Sequence, residues 1–541
     1  MSDPGHKPSW SLDEAIDSAC LRFEAAWKAG LRPALADYVE PVPREERAAF
    51  LRQLLPLDRH YRAQQGEHPS PELYLAQFPQ EAAVIREVFP GCTDVVLKVT
   101  KGPHRGKTFT LKEHGTFIVG RSDRAHLRLE TKDRYVSRVH FLIEANPPLC
   151  QLMDLDSRGG TWVNGQRVTR SDLKHGDVIR AGHTLIRVEF VEAAEPEKDP
   201  EETIFWPQAP AAPELAKPSA PPPFRRQIQG SEVCLCCRKQ GGTLQDQICR
   251  ACRENAQQQD QPIPGYLLLR ELGSGGMGIV HLALWQADGM IVAIKRIKPV
   301  VAADPRNRKR FLREAGILKT LDHRHIVRYL DMGQARGQLY FVMDYIDGTS
   351  ASELLRQRGP FSVRKAVGVV DQLLRALEYA HGQKKIVHRD VKPANLLIQN
   401  LPGKKTKKMV KVADFGLARV YQASGLSGLT FSGEMGGTTG FLAPEQITSF
   451  REAQPPADQY AAAASLYNLL TGKHIYDFPE PLEARIAMIL NERPMPIQER
   501  RPELPHGLAE VIHRALAREP EDRFPGVAAF RKALMPFLSF S

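Results

Sequence analysis

The chain has 541 residues, 42% hydrophobic and 25% charged, a soluble globular composition with room for about three or four domains. Its 74 Lys and Arg against 63 Asp and Glu leave a net charge of +11, which permits an anionic partner without demanding one. No run approaches the roughly 18 apolar residues of a membrane span and the start carries no apolar signal core, so a cytoplasmic protein is expected.

Residues 1–91 read as helical. Ser11 and Glu14 form a capping box, and Leu12, Ile16, Cys20, Phe23 and Trp27 follow helical spacing up to Gly30. Leu51, Leu54, Leu55 and Tyr61 make a second pattern in which Pro56 is expected to kink or end the helix. Ser70-Pro71-Glu72 reads as another helix start. Nothing in this region carries chemistry, and it reads as a small adaptor. Residues 92–190 change to short alternating segments: Val95-Leu97-Val99, Phe117-Val119, Leu127-Leu129, Phe141-Ile143 and Leu185 to Phe190. Turns rich in Gly, Asp and Asn separate them, a pattern that predicts an all-β sandwich.

The β-rich segment holds Gly120-Arg121-Ser122, Ser137-x-x-His140, Asp156-Ser157-Arg158-Gly159-Gly160-Thr161 and Val163-Asn164-Gly165. This set resembles the forkhead-associated (FHA) family, in which loops at one end of a sandwich bind phosphothreonine. The resemblance implies that Arg121 clamps phosphate oxygens and that Ser137 donates a hydroxyl hydrogen bond. Arg138 and Arg158 would complete the set, and His140 would brace the loop. Gly159 stands where relatives usually have an asparagine whose amide contacts the peptide, so altered affinity or a sandwich that no longer binds is the competing expectation.

Residues 191–230 read as a linker, acidic at first and with nine prolines between Pro196 and Pro223. Thr203 follows the acidic run Glu192 to Glu202 and resembles acidic threonine acceptors beside some bacterial FHA domains. Phosphorylated Thr203 bound by Arg121 and Ser137 is one expectation; an incidental linker threonine is the other. Five of the eight cysteines then fall between Cys234 and Cys252, too sparse overall for a disulfide scaffold. Within residues 231–256, Cys234-x2-Cys237 and Cys249-x2-Cys252 suit a closed, structural Zn2+ site and resemble a zinc ribbon. Cys236 is not expected to be a ligand. Unpaired linker cysteines and a redox pair are the alternatives. Arg238, Lys239, Arg250 and Arg253 make the segment basic, but no aromatics interleave with them, so nucleic acid is not the expected partner.

The last half begins near Pro264. Leu272-Gly273-Ser274-Gly275-Gly276-Met277-Gly278-Ile279-Val280 contains G-x-G-x-x-G-x-V, which also fits a dinucleotide fold. The sequel decides: Val280 to Leu284 and Ile291 to Ile297 read as strands, where a dinucleotide motif would open a helix. Ala293 and Lys295 lie on the second strand, and Glu314 lies on a helical stretch. His388-Arg389-Asp390-Val391-Lys392-Pro393-Ala394-Asn395, Asp414-Phe415-Gly416 and Ala443-Pro444-Glu445 follow in order. Together they resemble the protein kinase signature over residues 264–541, closest to bacterial serine/threonine kinases, with an α+β bilobal fold.

The resemblance assigns roles. The glycine loop covers the ATP phosphates, and Lys295, held by Glu314, pairs with them. Asn395 and Asp414 hold Mg2+ through hard oxygen ligands. Asp390 orients the substrate hydroxyl and accepts its proton, and Lys392 touches the γ-phosphate. Met343 aligns with the gatekeeper, which puts Asp344 to Ile346 at the adenine hinge. Thr438 fixes the catalytic loop, Glu445 pairs with Arg523, and Arg389 can receive an activation-loop phosphate. Ser427, Thr430 and Ser432 are the acceptor candidates there. The Lys404 to Lys408 cluster reads as a solvated hairpin tip. A scaffold without catalysis conflicts with the complete set of Lys295, Glu314, Asp390, Asn395 and Asp414. A small-molecule phosphotransferase conflicts with the Ala443-Pro444-Glu445 segment. The helical start ahead of a kinase loosely resembles multidomain kinases of planctomycete-type bacteria. The chain therefore reads as a serine/threonine protein kinase with an FHA reader of phosphothreonine proteins.

Overall fold

The computed structural model describes residues 12–28, 31–64, 74, 77–81, 84–85, 93–111, 115–122, 125–129, 135–146, 149–192, 233–239, 244–275, 278–297, 315–336, 338–400, 408–417, 439–448 and 453–540. These fall into two compact units, one reaching Glu192 and the other holding the described residues from Val233 onward.

The first unit opens with helices α1 (Leu12–Lys28), α2 (Ala36–Val39) and α3 (Arg44–Gln64). Ile16, Ala19, Phe23 and Trp27 share a buried cluster with Leu51, Leu54, Leu55 and Tyr61. Trp27 stacks on Tyr61 with ring centroids 5.8 Å apart. Of the two outcomes expected at Pro56, a kink or an end, the helix does not end there, because α3 continues to Gln64. Proline removes one backbone bond and crowds the preceding turn. Burial of Leu51, Leu54 and Leu55 next to it offsets that loss, at about 1.5–3 kcal/mol per side chain. Ser11, Gly30 and Ser70-Pro71-Glu72 lie outside the described residues.

Eleven strands follow: β1 (Thr93–Lys101), β2 (Thr108–Leu111), β3 (Gly115–Gly120), β4 (Leu127–Arg128), β5 (Phe141–Asn146), β6 (Leu149–Asp154), β7 (Thr161–Val163), β8 (Gln166–Val168), β9 (Arg170–Asp172), β10 (Val178–Ala181) and β11 (Thr184–Glu192). They form two sheets, β2-β1-β11-β10-β7-β8 and β4-β3-β5-β6-β9. Alternate residues such as Val95, Leu97, Val99, Phe117, Val119, Phe141 and Ile143 meet in one core, the sandwich that their spacing predicts. Strand β11 runs two residues into the segment read as linker.

The second unit begins with the cysteine segment, a hairpin of β12 (Leu244–Gln245) and β13 (Ile248–Cys249) leading into α4 (Arg250–Gln257). A five-stranded antiparallel sheet comes next, ordered β14 (Tyr266–Gly275), β15 (Gly278–Trp285), β16 (Met290–Ile297), β18 (Gln338–Asp344) and β17 (Tyr329–Ala335). The strands read at Val280 to Leu284 and Ile291 to Ile297 lie on β15 and β16. A helical lobe follows. It contains α5 (Ala351–Arg358), capped by Ser350, and α6 (Val363–Tyr379), capped by Ser362. Each cap hydroxyl accepts from the backbone N–H three residues on, satisfying one orphan donor of the first turn. A three-stranded sheet joins β19 (Gly348–Ser350), β20 (Leu396–Asn400) and β21 (Lys408–Val412). Helices α7 (Pro444–Thr448) and α8 (Pro455–Thr471) follow, and α8 is buried on every side from Ala457 to Leu470. Among the described residues no helix is long and apolar enough to cross a membrane.

Candidate functional site

Three chemical sites emerge, beginning with the cleft of the second unit. Lys295 projects from β16, is 5% exposed, and places Nζ 2.9 Å from Asp414 Oδ2. Burial raises the Asp414 carboxyl, but the nearby Lys295 charge lowers it further, and the net value falls below the usual carboxylate range. Lys392 Nζ lies 3.0 Å from Asp390 Oδ2. Asn395 Nδ2 donates to the Asp390 carbonyl at 2.8 Å and to its carboxylate at 3.1 Å. The Asn395 amide oxygen is then the atom left to face a cation. Four of the expected residues, Asp390, Lys392, Asn395 and Asp414, are thus joined to one another or to Lys295.

What fixes this loop is a residue whose role the sequence reading missed. Asp458, in the first turn of α8, is fully buried and accepts from His388 N and Arg389 N at 2.8 Å each, and from His381 Nε2 at 2.8 Å. Burial raises its pKa, but the His381 bond and the surrounding donors outweigh that and hold it low. The available signal was an aspartate heading an almost wholly apolar helix, since a buried charge needs partners. Arg389 and Asp414 have φ of 67° and 55°, a left-handed backbone that non-glycine residues keep only where their surroundings enforce it. His388 accepts from Asp390 N through Nδ1 at 3.2 Å, and its Nε2 lies 3.1 Å from the Ala413 carbonyl, so the ring links the 388–390 and 413–415 segments.

Glu445 and Arg523 form a two-pronged pair, with bonds of 2.6 and 2.8 Å. Gln446, another residue not singled out from sequence, donates to the Arg389 carbonyl at 2.9 Å. Met343 sits opposite Ala293 and Asp344 opposite Val292 in the β16–β18 register. Asp344 also meets Arg328 at 3.2 Å. In the glycine loop, a Cβ at Gly278 would lie 2.0 Å from the Arg296 carbonyl, whereas Gly273 faces open space. Gly278 is therefore demanded by the neighbouring strand, whether or not a phosphate approaches the loop. Gly276, Met277, Glu314, Thr438, Ser427, Thr430, Ser432, Thr203 and Lys404 to Lys407 lie outside the described residues.

At the loop end of the sandwich, Arg121, Ser137 and Arg158 come together. Arg121 N donates to the Ser137 carbonyl at 3.1 Å, and Ser122 N donates to that of Arg138 at 2.8 Å. Arg158 N donates to Ser137 Oγ at 3.0 Å, so this oxygen accepts there and its own proton is left for another acceptor. His140 is fully buried. Its Nδ1 accepts from Ser137 N at 3.1 Å and its Nε2 lies 3.2 Å from the Gly160 carbonyl, so it ties the two loops together. Asp154 accepts from Ser157 N at 2.8 Å and from Ser157 Oγ at 2.6 Å. A Cβ at Gly159 would fall 2.2 Å from the Tyr135 carbonyl oxygen, so the relatives' asparagine does not fit this loop without a backbone shift.

In the cysteine segment, the sulfurs of Cys234, Cys237, Cys249 and Cys252 all lie within 4.8 Å of one another. Cys236 is outside the group, and its Sγ faces the Leu269 carbonyl at 3.9 Å. Cys237 and Cys249 sulfurs are 3.8 Å apart, close to the edge of a tetrahedron built on Zn–S bonds of about 2.3 Å. Burial raises the Cys234 thiol, but backbone N–H donors, Cys249 N at 3.2 Å among them, outweigh it and bring it down to about 6. Three of the segment's arginines are engaged with acids: Arg238 with Asp347, Arg250 with Glu254 and Arg253 with Asp246.

Two known families match the regions that hold the cleft and the sandwich loops. Residues 266–534 match the protein kinase domain, and residues 117–182 match the FHA domain. The chain is 39% identical over 272 residues to serine/threonine-protein kinase PknF of Mycobacterium tuberculosis, covering 50% of this chain and 56% of that protein. It is 38% identical over 259 residues to serine/threonine-protein kinase PknD of Mycobacterium tuberculosis, covering 48% and 37%. The chain spans about half the length of these curated relatives or less. The crystal structure of the Mycobacterium tuberculosis PknI kinase domain aligns at 29% identity with a TM-score of 0.40, covering 52% of this chain and 99% of that one.

Proposed function

We propose that this chain, which carries a protein kinase domain and an FHA domain, transfers the γ-phosphate of ATP to serine and threonine hydroxyls of proteins. It would dock on phosphothreonine through the FHA loops and act in the cytoplasm. The observation that carries the reading is the linked set Lys295, Asp414, Asp390, Lys392 and Asn395. Phosphoryl transfer needs positioning and charge neutralisation more than covalent chemistry. Asp390 is the carboxylate that takes the substrate proton. Lys392 beside it neutralises charge developing on the transferred group, and Lys295 holds the remaining phosphates. Asp414 and the Asn395 amide oxygen are hard donors that fit Mg2+, which when bound screens the phosphate charge. Incubation with [γ-32P]ATP and a protein substrate tests this directly. Asp390→Ala is expected to reduce incorporation by about two to four orders of magnitude; equal incorporation overturns it.

The reader half rests on Arg121, whose Nε is buried with no hydrogen-bond partner among the described residues. A phosphate oxygen is the acceptor that satisfies it. Thr203, in its acidic stretch, is the proposed intramolecular or intermolecular ligand after autophosphorylation. Phosphosite mass spectrometry of protein incubated with ATP checks this, and an unmodified Thr203 sinks it. The four gathered cysteines are proposed to hold one structural Zn2+.

A further inference from the structure

We propose that the cysteine segment is a metal-dependent brace for the adenine side of the nucleotide site, and that Arg238 is its positioning residue. The inference rests on the readings of the second unit as a kinase and of the four cysteines as zinc ligands. The segment is fused to the sheet. Cys234, Leu235, Ile248 and Ala256 share one buried cluster with Leu267 and Leu269 of β14 and Leu282 and Leu284 of β15. Gln261 ties the end of α4 to the same strand. Its amide oxygen accepts from Leu268 N at 2.7 Å, and its Nε2 donates to the carbonyls of Ala256 and Leu268 at 2.7 and 3.3 Å.

From this platform Arg238 reaches across 107 positions of sequence. Its Nη2 donates to Tyr345 Oη at 2.6 Å and meets Asp347 Oδ1 at 2.7 Å. Tyr345 and Asp347 lie just past Asp344 at the end of β18, where the chain leaves the sheet for the helical lobe. Tyr345 also packs against the cluster that holds the cysteines. Arg238 adjoins Cys237 and has φ of 61°, a conformation that persists only where neighbours enforce it. Here the enforcing elements are the bonds Arg238 N to Cys234 O, 2.8 Å, and Cys234 N to Lys239 O, 3.0 Å. A metal shared by Cys234 and Cys237 would clamp the same turn at its two sulfurs. Without the metal, four crowded sulfurs have no common partner, the turn is left to its two backbone bonds alone, and the aim of Arg238 at the hinge loosens.

The test uses the full chain, with zinc measured by plasma mass spectrometry, nucleotide affinity by equilibrium titration of a fluorescent ATP analogue, and steady-state kinetics. Arg238→Ala is expected to retain one zinc per chain, weaken nucleotide binding and raise KM for ATP by about two- to fivefold, and leave kcat unchanged. Arg238→Lys is expected to recover part of that loss. Chelation of the unsubstituted chain is expected to reproduce the weaker nucleotide binding, and chelation of Arg238→Ala to add little more. A zinc-loaded Arg238→Ala with unchanged nucleotide affinity overturns the brace while the zinc reading stands. A chain that takes up no zinc overturns the metal dependence, and the effect of Arg238→Ala on KM is then read by itself.

Discussion

The proposed catalytic cleft and the loop end of the sandwich are both read as phosphate sites, yet their charges are arranged in opposite ways. In the cleft each lysine already has an acid: Lys295 meets Asp414, and Lys392 meets Asp390. At the sandwich loops, no carboxylate among the described residues pairs with Arg121, Arg138 or Arg158. The proposed ligands would account for the contrast. A nucleoside triphosphate arrives with hard divalent cations that need carboxylate ligands, whereas a phosphothreonine arrives as a bare dianion. Acids beside the bases help the first ligand and would repel the second. Both loops nevertheless use the same support, a buried polar side chain that gathers backbone N–H groups: Asp458 in one, Asp154 with His140 in the other.

Removing an acid from the cleft is the strongest way to break this contrast. Asp414→Asn is expected to lower phosphate incorporation by at least about two orders of magnitude while phosphothreonine peptide affinity stays unchanged. Near-normal turnover would mean that the acid is not needed by the arriving cation. The converse change, Arg121→Ala, is expected to weaken phosphothreonine peptide binding by about 10- to 100-fold in fluorescence anisotropy. Phosphorylation of an unphosphorylated generic substrate should be unaffected, and equal peptide affinity would remove Arg121 from the clamp.

Acid separates the two sites without mutation. The phosphate loses its second charge near pH 6, so peptide affinity is expected to fall by about tenfold or less between pH 7 and pH 5. Asp414 is held below the usual carboxylate range. Its ionised form is therefore complete above the ordinary carboxylate value and is lost only as the pH falls through its lower folded value. Nucleotide binding across pH 7 to 5 should lose nothing from this group, and a parallel decline at both sites that Asp414→Asn removes would contradict that. The smallest effect concerns the departure in the proposed reader loop. Gly159→Asn is expected to weaken peptide binding by about two- to fivefold, because the new Cβ meets the Tyr135 carbonyl oxygen at 2.2 Å and the loop must shift to relieve it. Tighter binding in a calorimetric titration would show that the loop yields instead.

The cleft was legible because its motifs are contiguous: each short run carries its own reason for its residue types, and the runs occur in order. The sandwich was legible from alternation, though only its longer strands; β7 to β9 have three residues each and too few alternations to read. What stayed hidden is what acts across sequence distance outside the family motifs, unlike the Glu445–Arg523 pair that the resemblance implies. Asp458 holds residues about 70 positions upstream, and Arg238 meets residues more than 100 positions downstream. No local spacing reports such pairings. At Pro56 the local rule left a kink or an end open, and the burial of Leu51, Leu54 and Leu55 against another helix goes with the helix continuing. Gly159 was visible as a departure, but the close carbonyl that accounts for it was not.

The shared cluster of Cys234, Leu235, Ile248 and Ala256 with four leucines of β14 and β15 bears on where one module ends and another begins. A boundary drawn at the first kinase strand would strip the cover from Leu267, Leu269, Leu282 and Leu284 and leave a contiguous apolar face in water, an invitation to self-association. Shortened versions of the chain that keep residues 231–263 are therefore expected to stay monodisperse at concentrations where versions beginning at Tyr266 aggregate. The same dependence leaves an inheritable trace: in relatives without the paired cysteines, these four positions should have drifted to polar residues together.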